Sequence, residues 1–213
     1  MNPIETDTWK RRGPLTSFSN CEHPHFALCA NIDITALRPY LKRCGVTFTI
    51  GMVYVISRAA NSIPPFRYRI RDGEVIEHSI AHPAITMLRD DESLAFFVNT
   101  YQEDFQAFAS GAAQLMRPND GHRPARPRKR RDDMLMLSTI PWVSFTCMTH
   151  PSFSREDSVP RIAWGKYFWE GDRLKMPLSV QVHHGLMDGL HVGRLFERIQ
   201  AYCDQPESVM GEV

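Results

Sequence analysis

The sequence predicts an α/β (α+β) fold in which a mixed sheet and a layer of helices form a two-layer sandwich. Alternating apolar and polar residues predict strands in both halves of the 213-residue chain, for example at 26–34 and 173–182, with helical spacing between and after them. The regular strand-helix-strand order of a doubly wound sheet is missing. Because 43% of the residues are hydrophobic, we expect one continuous core and one domain over 1–213.

Charge and cysteine content argue against several classes of protein. With 25 Lys and Arg against 24 Asp and Glu, the net charge is +1, so neither a nucleic-acid nor a membrane partner is expected. The five cysteines lack CxxC spacing, which fits a reducing cytoplasm. No segment approaches the ~20 apolar residues of a membrane span. The basic run 126–131 could bind nucleic acid or phosphate, but such short runs are more often solvated.

The first half of the chain predicts a strand, two helices and a hairpin. After the strand at 26–34, Thr35 is expected to cap a short helix. Apolar residues at helical spacing over 47–63 predict a buried helix. Asp72 and Gly73 join two alternating segments and predict a hairpin turn, because both tolerate a positive φ.

The middle of the chain predicts two strands, one long helix and a loop. The strands are expected at 84–90 and 132–150, with Ser144 inside the second. Aromatic residues three or four positions apart predict a single amphipathic helix over 92–116 with a buried aromatic stripe. The segment 117–131 is rich in Pro, Gly and Arg, so we expect an exposed loop.

A second hairpin leads into a dense cluster of polar residues and glycines. Its strands are predicted at 161–169 and 173–182, with the turn at 170–172. The residues that follow are His183, His184, Gly185, Asp188 and Gly189. A terminal helix is expected next, with Asp188 as its N-cap.

The two adjacent histidines are expected to face opposite sides of the strand, because successive side chains alternate. His184 continues the apolar side of 178–182, where a partly desolvated imidazole can act as a base. His183 lies on the other side. Gly185 is expected to let the backbone bend away and leave space for a substrate.

Two other interpretations compete with a catalytic base. His184, Asp188 and His191 have a spacing that would align three metal ligands on a helix, but Gly185 and Gly189 argue against a continuous helix there. A buried packing histidine with Asp188 as a helix cap is the structural alternative. From the pattern alone, the catalytic and structural interpretations remain open.

The string HHGLMDG, residues 183–189, matches the HHxxxDG pattern of chloramphenicol acetyltransferases, dihydrolipoamide acyltransferase domains and condensation-type acyltransferases. The segments "MPLSVQVHHGLMDGLHVGR", "PWVSF", "NIDITAL", "ISRAANSIPPFRYRIRDGEVI" and "EGDRLKMPL" resemble chloramphenicol acetyltransferases in particular. The resemblance extends from about Trp9 to Cys203. It implies a fold of the CoA-dependent acyltransferase type, acetyl transfer from acetyl-CoA to a hydroxyl without a metal, and a homotrimer with active sites between subunits.

The same resemblance implies roles for individual residues. It assigns the catalytic base to His184, in agreement with the face argument, and the oxyanion-stabilising serine to Ser144 of "PWVSF". Asp188 matches a buried aspartate whose partner is an arginine near the N-terminus, which "TWKRR" places at Arg11, with Arg12 as a surface neighbour. Lys166 and Tyr167 match positions that contact CoA, although a lysine here could equally be solvated.

The sequence departs from the family at several positions near the expected site. Ala163 stands where a threonine associated with a water at the oxyanion is common. The expected acceptor residues also differ: Phe18 replaces a tyrosine, Glu22 an apolar residue and Leu94 a phenylalanine, while Phe26 is retained. An unpaired Glu22 in an apolar pocket would be unfavourable.

We therefore predict an acetyl-CoA-dependent O-acetyltransferase that acetylates chloramphenicol and confers resistance to it. Because the acceptor residues differ, the alternative is the same transfer to another small hydroxylated or amine acceptor. A protein that binds the drug or CoA without catalysis is the alternative from a different class.

Overall fold

The computed structural model describes residues 2–89, 91–116 and 131–212, which form a mixed sheet packed against a layer of helices. The predicted fold class is thus confirmed. The expected loop at 117–131 lies, except for Arg131, outside the described residues. None of the helices in the described part of the chain is long and apolar enough to cross a membrane.

The main sheet contains seven strands in the order β2-β10-β8-β7-β5-β6, with β9 beside β10, and a smaller sheet has the order β1-β4-β3. The strands are β1 (Asn2–Pro3), β2 (His25–Asp33), β3 (Tyr68–Arg71), β4 (Glu74–Glu77), β5 (His82–Leu88), β6 (Leu94–Val98), β7 (Met134–Ile140), β8 (Arg161–Gly165), β9 (Phe168–Glu170) and β10 (Arg173–His183). The helices are α1 (Arg12–Ser19), α2 (Leu37–Arg43), α3 (Phe48–Asn61), α4 (Phe105–Leu115), α5 (Gly189–Asp204) and α6 (Glu207–Met210). The pairs β5–β7 and β7–β8 are parallel and the remaining pairs antiparallel, so the sheet is mixed.

One face of the main sheet carries the hydrophobic core. Leu178, Val180 and Val182 alternate along β10 and are buried with the apolar residues of α3 and α5. Burial of such a side chain contributes about 1.5–3 kcal/mol relative to exposure. We call the opposite side of the sheet, to which Ser138, Ala163 and Ser179 project, the second face.

Several local predictions are confirmed. Helix α3 coincides with the predicted buried helix, and the Asp72-Gly73 turn joins β3 to β4 with both residues at positive φ. Asp188 is the N-cap of α5, and its side chain accepts a hydrogen bond from the Leu190 backbone.

The expected cap of α2 is wrong. Thr35 does not cap this helix, because its hydroxyl donates to Asp33 and accepts from the Leu174 backbone instead.

The predicted long helix over 92–116 is wrong in its first part. Leu94–Val98 forms the edge strand β6, which pairs antiparallel with β5 so that Phe97 faces Ile85. Helix α4 begins only after Asp104, whose side chain accepts from the Ala107 backbone. Aromatic spacing alone cannot distinguish the two, because Phe97 is packed against the same core as the aromatics of α4.

The predicted strand over 132–150 is also too long. Strand β7 ends at Ile140, immediately before Pro141, which has no backbone N–H to offer a neighbouring strand. Ser144 therefore lies outside the strand, in an exposed irregular segment. The chain then crosses the second face, where the Met148 carbonyl accepts from the Ser179 hydroxyl at 2.8 Å and Gln181 bonds to the backbone of His150.

Candidate active site

His184 lies at the turn where β10 ends and the chain enters α5. Its backbone N–H donates to the Pro24 carbonyl at 2.8 Å, which extends the pairing of β10 with the chain before β2. Its ring nitrogen Nδ1 is 3.2 Å from the Met187 carbonyl oxygen. Because a carbonyl can only accept, Nδ1 must carry the proton in this contact, and Nε2 keeps its lone pair.

Two aromatic rings fix the plane of the His184 imidazole. Phe18 of α1 stacks on it with ring centroids 4.0 Å apart and planes inclined by 13°. Phe26 of β2 lies 4.6 Å away at 48°. The imidazole is thus held between apolar surfaces at an edge that remains partly accessible.

His183 is fully engaged within the protein. Its Nε2 donates to the Arg155 carbonyl at 3.0 Å, and its Nδ1 accepts from the Gly185 backbone at 3.1 Å. Burial, together with the nearby His25, lowers the pKa of His183 to about 4. Both nitrogens are therefore occupied, and the two adjacent histidines lie in different environments, as the alternation of side chains predicts.

Gly185 allows a close approach of two backbone segments. A Cβ at this position would lie 3.0 Å from the His183 ring and 3.3 Å from the Cα of Leu15 in α1. The space that we expected beside Gly185 for a substrate is therefore filled by protein atoms. The glycine instead lets α1 pack against the histidine turn.

Arg11 connects this turn to the start of α5. Its Nη1 donates to Asp188 Oδ2 at 2.7 Å and its Nη2 to the His184 carbonyl at 3.0 Å. Asp188 Oδ1 lies 2.8 Å from His191 Nδ1. Burial opposes ionisation of Asp188, but the hydrogen bond from Arg11 and the charges of His191 and Arg11 leave its pKa below the ordinary value. Arg12, by contrast, is exposed.

These contacts bear on the metal interpretation. Both carboxylate oxygens of Asp188 are bonded to protein groups, and the His184 ring nitrogen Nδ1 faces a carbonyl. Among the described residues, no group of three or more His, Cys, Asp or Glu side chains could hold a metal ion.

A second group of residues lies on the second face of the sheet and was not recognised from the sequence. Ser138 of β7 is paired in register with Ala163 of β8 on one side and with Thr86 of β5 on the other. Paired residues project to the same face, so the Ser138 hydroxyl is next to Ala163, the position that the resemblance associated with an oxyanion water. The pairing with Ala163 could have indicated Ser138, but it can be recognised only once the register of β7 and β8 is known.

His184 and Ser138 are far apart within one chain. Ser138 aligns with Ala163 and Ala163 with Ser179, while His184 follows Ser179 by five positions along β10. At ~3.3 Å per residue, this separation is about 16 Å along the strand alone. The two side chains of one chain therefore cannot contact the same reacting atom.

Ser144 is no closer to His184. Its neighbour Val143 accepts through its carbonyl from the Lys166 backbone at 2.9 Å, just beyond the end of β8. This point lies farther along the sheet from His184 than Ser138 does. The structure thus does not bring the sequence-predicted pair His184 and Ser144 together within one chain.

The two residues expected to contact CoA are both exposed. Tyr167 lies under the Arg38 guanidinium, whose carbon is 5.2 Å from the ring centroid, and Phe48 approaches its edge. Lys166 projects into solvent beside it. The surface therefore combines an aromatic ring with positive charge.

The four expected acceptor residues fall into two places. Phe18 and Phe26 contact His184, and Glu22 lies exposed in the turn between α1 and β2. Leu94 begins β6, at the opposite edge of the sheet from β2. Five strand spacings of ~4.8 Å separate those edges, so Leu94 cannot share a pocket with Phe26 in one chain.

Comparison with known proteins identifies the family of the chain. The family model described as chloramphenicol acetyltransferase matches residues 1–200. Chloramphenicol acetyltransferase 2 of Escherichia coli is 32% identical over 204 residues, which cover 94% of this chain and 96% of that protein. Chloramphenicol acetyltransferase of Klebsiella sp is 28% identical over 204 residues, covering 95% and 93%.

A solved structure of chloramphenicol acetyltransferase is similar with a TM-score of 0.88 and 25% identity, covering 95% of this chain and 99% of that one. The family model and the relatives span nearly the whole chain. The chain therefore belongs to the chloramphenicol acetyltransferase family and is an acyltransferase.

Proposed function

We propose that this enzyme works in the cytoplasm, transfers the acetyl group of acetyl-CoA to a hydroxyl of chloramphenicol, and thereby confers resistance. The observation that carries the proposal is the state of His184, whose Nδ1 faces the Met187 carbonyl and whose Nε2 is left to accept a proton. Nε2 takes the proton of the acceptor hydroxyl as its oxygen attacks the thioester carbonyl. When the tetrahedral intermediate collapses, the C–S bond breaks and the CoA thiolate receives that proton.

The oxyanion of this intermediate needs a hydrogen-bond donor. The resemblance assigns that role to Ser144, but the geometry favours Ser138, whose hydroxyl lies on the second face beside Ala163. Ser144 projects from an exposed segment beyond the end of β7. We therefore propose Ser138 as the first candidate and retain Ser144 as the alternative. Such a donor typically contributes a factor of ~10²–10³ in rate.

The separation of His184 from both serines supports an active site between subunits. A second copy of the chain could bring its second face to His184, so that each site takes the base from one chain and the oxyanion donor from the next. We propose the homotrimer that the resemblance implies, in which three such sites close symmetrically.

Other residues are assigned supporting parts in the proposal. Arg11 and Asp188 hold the histidine turn, as their contacts suggest. The exposed pair Lys166 and Tyr167 would contact CoA, with the lysine near a phosphate. Glu22 is exposed in the single chain, close to the histidine turn, and another small hydroxylated or amine acceptor remains the second candidate.

Acetyl transfer can be tested by mixing the purified enzyme with acetyl-CoA and chloramphenicol and following thiol release. We expect release that depends on the acceptor, and a ~10²–10⁴-fold lower turnover for His184→Ala. His183→Asn is the matched control, because His183 is the adjacent histidine with both nitrogens engaged.

The outcomes separate the candidates. Background release with chloramphenicol but turnover with other alcohols or amines would support the second acceptor class. Binding of chloramphenicol or CoA without turnover of any acceptor would support a non-catalytic binding protein. Wild-type turnover by His184→Ala would refute the role of the base.

A further inference from the structure

A pocket of about 480 Å³ opens on the second face of the sheet, next to the strands that carry Ser138. Phe96, Met134 and Met136 contribute apolar side chains from β6 and β7, and Phe153 approaches from the segment that crosses the face. A pocket of this size accommodates a drug-sized molecule. None of these residues was assigned a role from the sequence.

The pocket wall contains an ion pair that is almost completely buried. Arg161 and Asp157 are 4% and 5% exposed, and Arg161 Nη2 lies 2.5 Å from Asp157 Oδ2. Nη1 also faces Asp157, at 3.4 Å from Oδ1, and donates to the Val159 carbonyl at 3.1 Å. The Phe153 backbone donates to the same carboxylate, and its ring lies 5.8 Å from the guanidinium carbon.

These bonds leave one edge of the guanidinium without a protein partner. Among the residues that the structure describes, nothing accepts from Arg161 Nε or from a second hydrogen of Nη2. These two N–H groups form the parallel fork that matches a planar group with two oxygens. Arg71, also at the pocket, differs because its Nε and Nη2 both face Asp132.

The charges around Arg161 and Asp157 determine which kind of planar group the fork can bind. Asp157 already compensates the positive charge of Arg161. The other charged residues of the lining are Asp72, Asp132 and Glu156, together with Arg71 and Arg131, which pair with Asp132 and Asp133. A carboxylate on the ligand would therefore face several negative charges without an uncompensated cation. A neutral planar group, such as a nitro group or an amide, can accept from the fork without this repulsion.

We propose that this pocket binds the acceptor and that Arg161 is a specificity-determining residue, which donates to a neutral planar oxygen-bearing group on an otherwise apolar, aromatic alcohol. This inference rests on the proposed acetyl transfer and narrows its substrate class. The apolar floor of Met134 and Met136 contacts the aromatic part, and Met136 is paired in register with Arg161. The reacting hydroxyl then extends toward Ser138, two residues farther along β7 and about 7 Å away.

The test compares chloramphenicol, which carries a nitro group on its ring, with two analogues in which that group is hydrogen or a carboxylate. Dissociation constants are measured directly, and kcat/KM is measured with acetyl-CoA. We expect the wild-type enzyme to prefer the nitro compound to the hydrogen analogue by about 10- to 100-fold in both quantities, and not to prefer the carboxylate.

Three variants isolate the fork. Arg161→Lys keeps the charge beside Asp157 but lacks the fork, and Arg161→Leu combined with Asp157→Asn removes both charges without leaving one unpaired. We expect both to lose the preference, with the KM for acetyl-CoA unchanged. Arg43→Leu, at an exposed arginine of α2 that pairs with Glu207 and does not line the pocket, is the control and should retain the preference.

Failure of the specificity role of Arg161 can be distinguished from failure of the proposed acetyl transfer. Equal binding of the nitro and hydrogen analogues by the wild type, or a preference that survives in both Arg161 variants, would overturn the specificity role. Selective binding of the nitro compound without any acetyl transfer would support the pocket and sink the proposed function.

Discussion

Arg11 and Asp188, 177 positions apart in the chain, meet at 2.7 Å between Nη1 and Oδ2. The same guanidinium donates to the His184 carbonyl, so one side chain joins the start of α1 to both ends of the histidine turn. Asp188 in turn caps α5. The orientation of His184 therefore depends on a contact that lies outside the HHxxxDG string.

We predict that Arg11→Ala lowers thermal stability. The variant loses two charge-assisted hydrogen bonds and leaves Asp188 without its cation, at an expected cost of about 1–3 kcal/mol. For a chain of this size, this corresponds to a fall in Tm of about 3–10 °C by calorimetry. Arg12→Ala is the control, because its pair with Asp7 is exposed and should contribute less than about 1 kcal/mol. Equal effects of the two variants would contradict the anchoring role.

The same contact predicts a pH dependence. The pKa of Asp188 is lowered in the folded state, so its ionised form contributes stability above the unfolded pKa of ~3.9 and loses it as pH falls through the folded value. Asp188→Asn should therefore be less stable than wild type at pH 7, and the difference should shrink near pH 3. Thermal unfolding at both pH values checks this, and a constant difference would argue against an ionic contribution.

Buried His183 predicts a second pH dependence, at higher pH. The shift of its pKa from 6.5 to about 4 corresponds to about 3 kcal/mol in the free energy of unfolding. This stability is present above pH ~6.5 and is lost as pH falls toward 4, because between these values only the unfolded state takes up the proton. Chemical unfolding at pH 7 and 4.5 should show a smaller pH effect in His183→Asn than in wild type. His23→Asn, at an exposed histidine, should leave the pH effect unchanged.

The local elements were predictable from the sequence where one short-range interaction dominates. The Asp72-Gly73 turn and the Asp188 cap depend on backbone geometry and on hydrogen bonds within a few residues. The helical assignment of Leu94–Val98 failed because pairing with β5 overrides the aromatic periodicity.

The residues of the candidate site also divide into those that the sequence indicates and those that only the structure reveals. The HHxxxDG string indicates His184 and Asp188, and the resemblance of the separate segment "TWKRR" indicates Arg11. Ser138 and Arg161 could not be selected, because their significance follows from the register that places Ser138 beside Ala163 and Arg161 beside Met136. Such cross-strand pairs depend on long-range pairing, which a single sequence does not encode locally.

The stacked ring of Phe18 predicts an effect on turnover. Phe18→Leu removes the aromatic surface that lies 4.0 Å from the His184 ring, and an aromatic pair of this kind contributes about 0.5–1.5 kcal/mol beyond its buried area. We expect kcat to fall by about 2- to 10-fold with the KM for acetyl-CoA unchanged. Phe18→Tyr keeps the stacking ring and should restore kcat. If Phe18 had a purely structural role, Phe18→Leu would instead lower the stability without the selective fall in kcat at constant KM.

The choice between Ser138 and Ser144 is decided by paired alanine variants. If the hydroxyl on the second face stabilises the oxyanion, Ser138→Ala should lower kcat by about 10²–10³-fold with little change in the KM values, because the interaction forms only as charge develops. Ser144→Ala removes an exposed hydroxyl beyond the end of β7 and should change kcat by less than about threefold.

Steady-state thiol release with both variants, alongside circular dichroism to compare their folding, provides the measurement. The reverse ranking would restore Ser144 as the donor and would require the segment after Pro141 to move toward the reacting carbonyl in the assembled enzyme. Small effects of both substitutions would instead mean that backbone N–H groups stabilise the intermediate, since the oxyanion still needs a donor within hydrogen-bond distance.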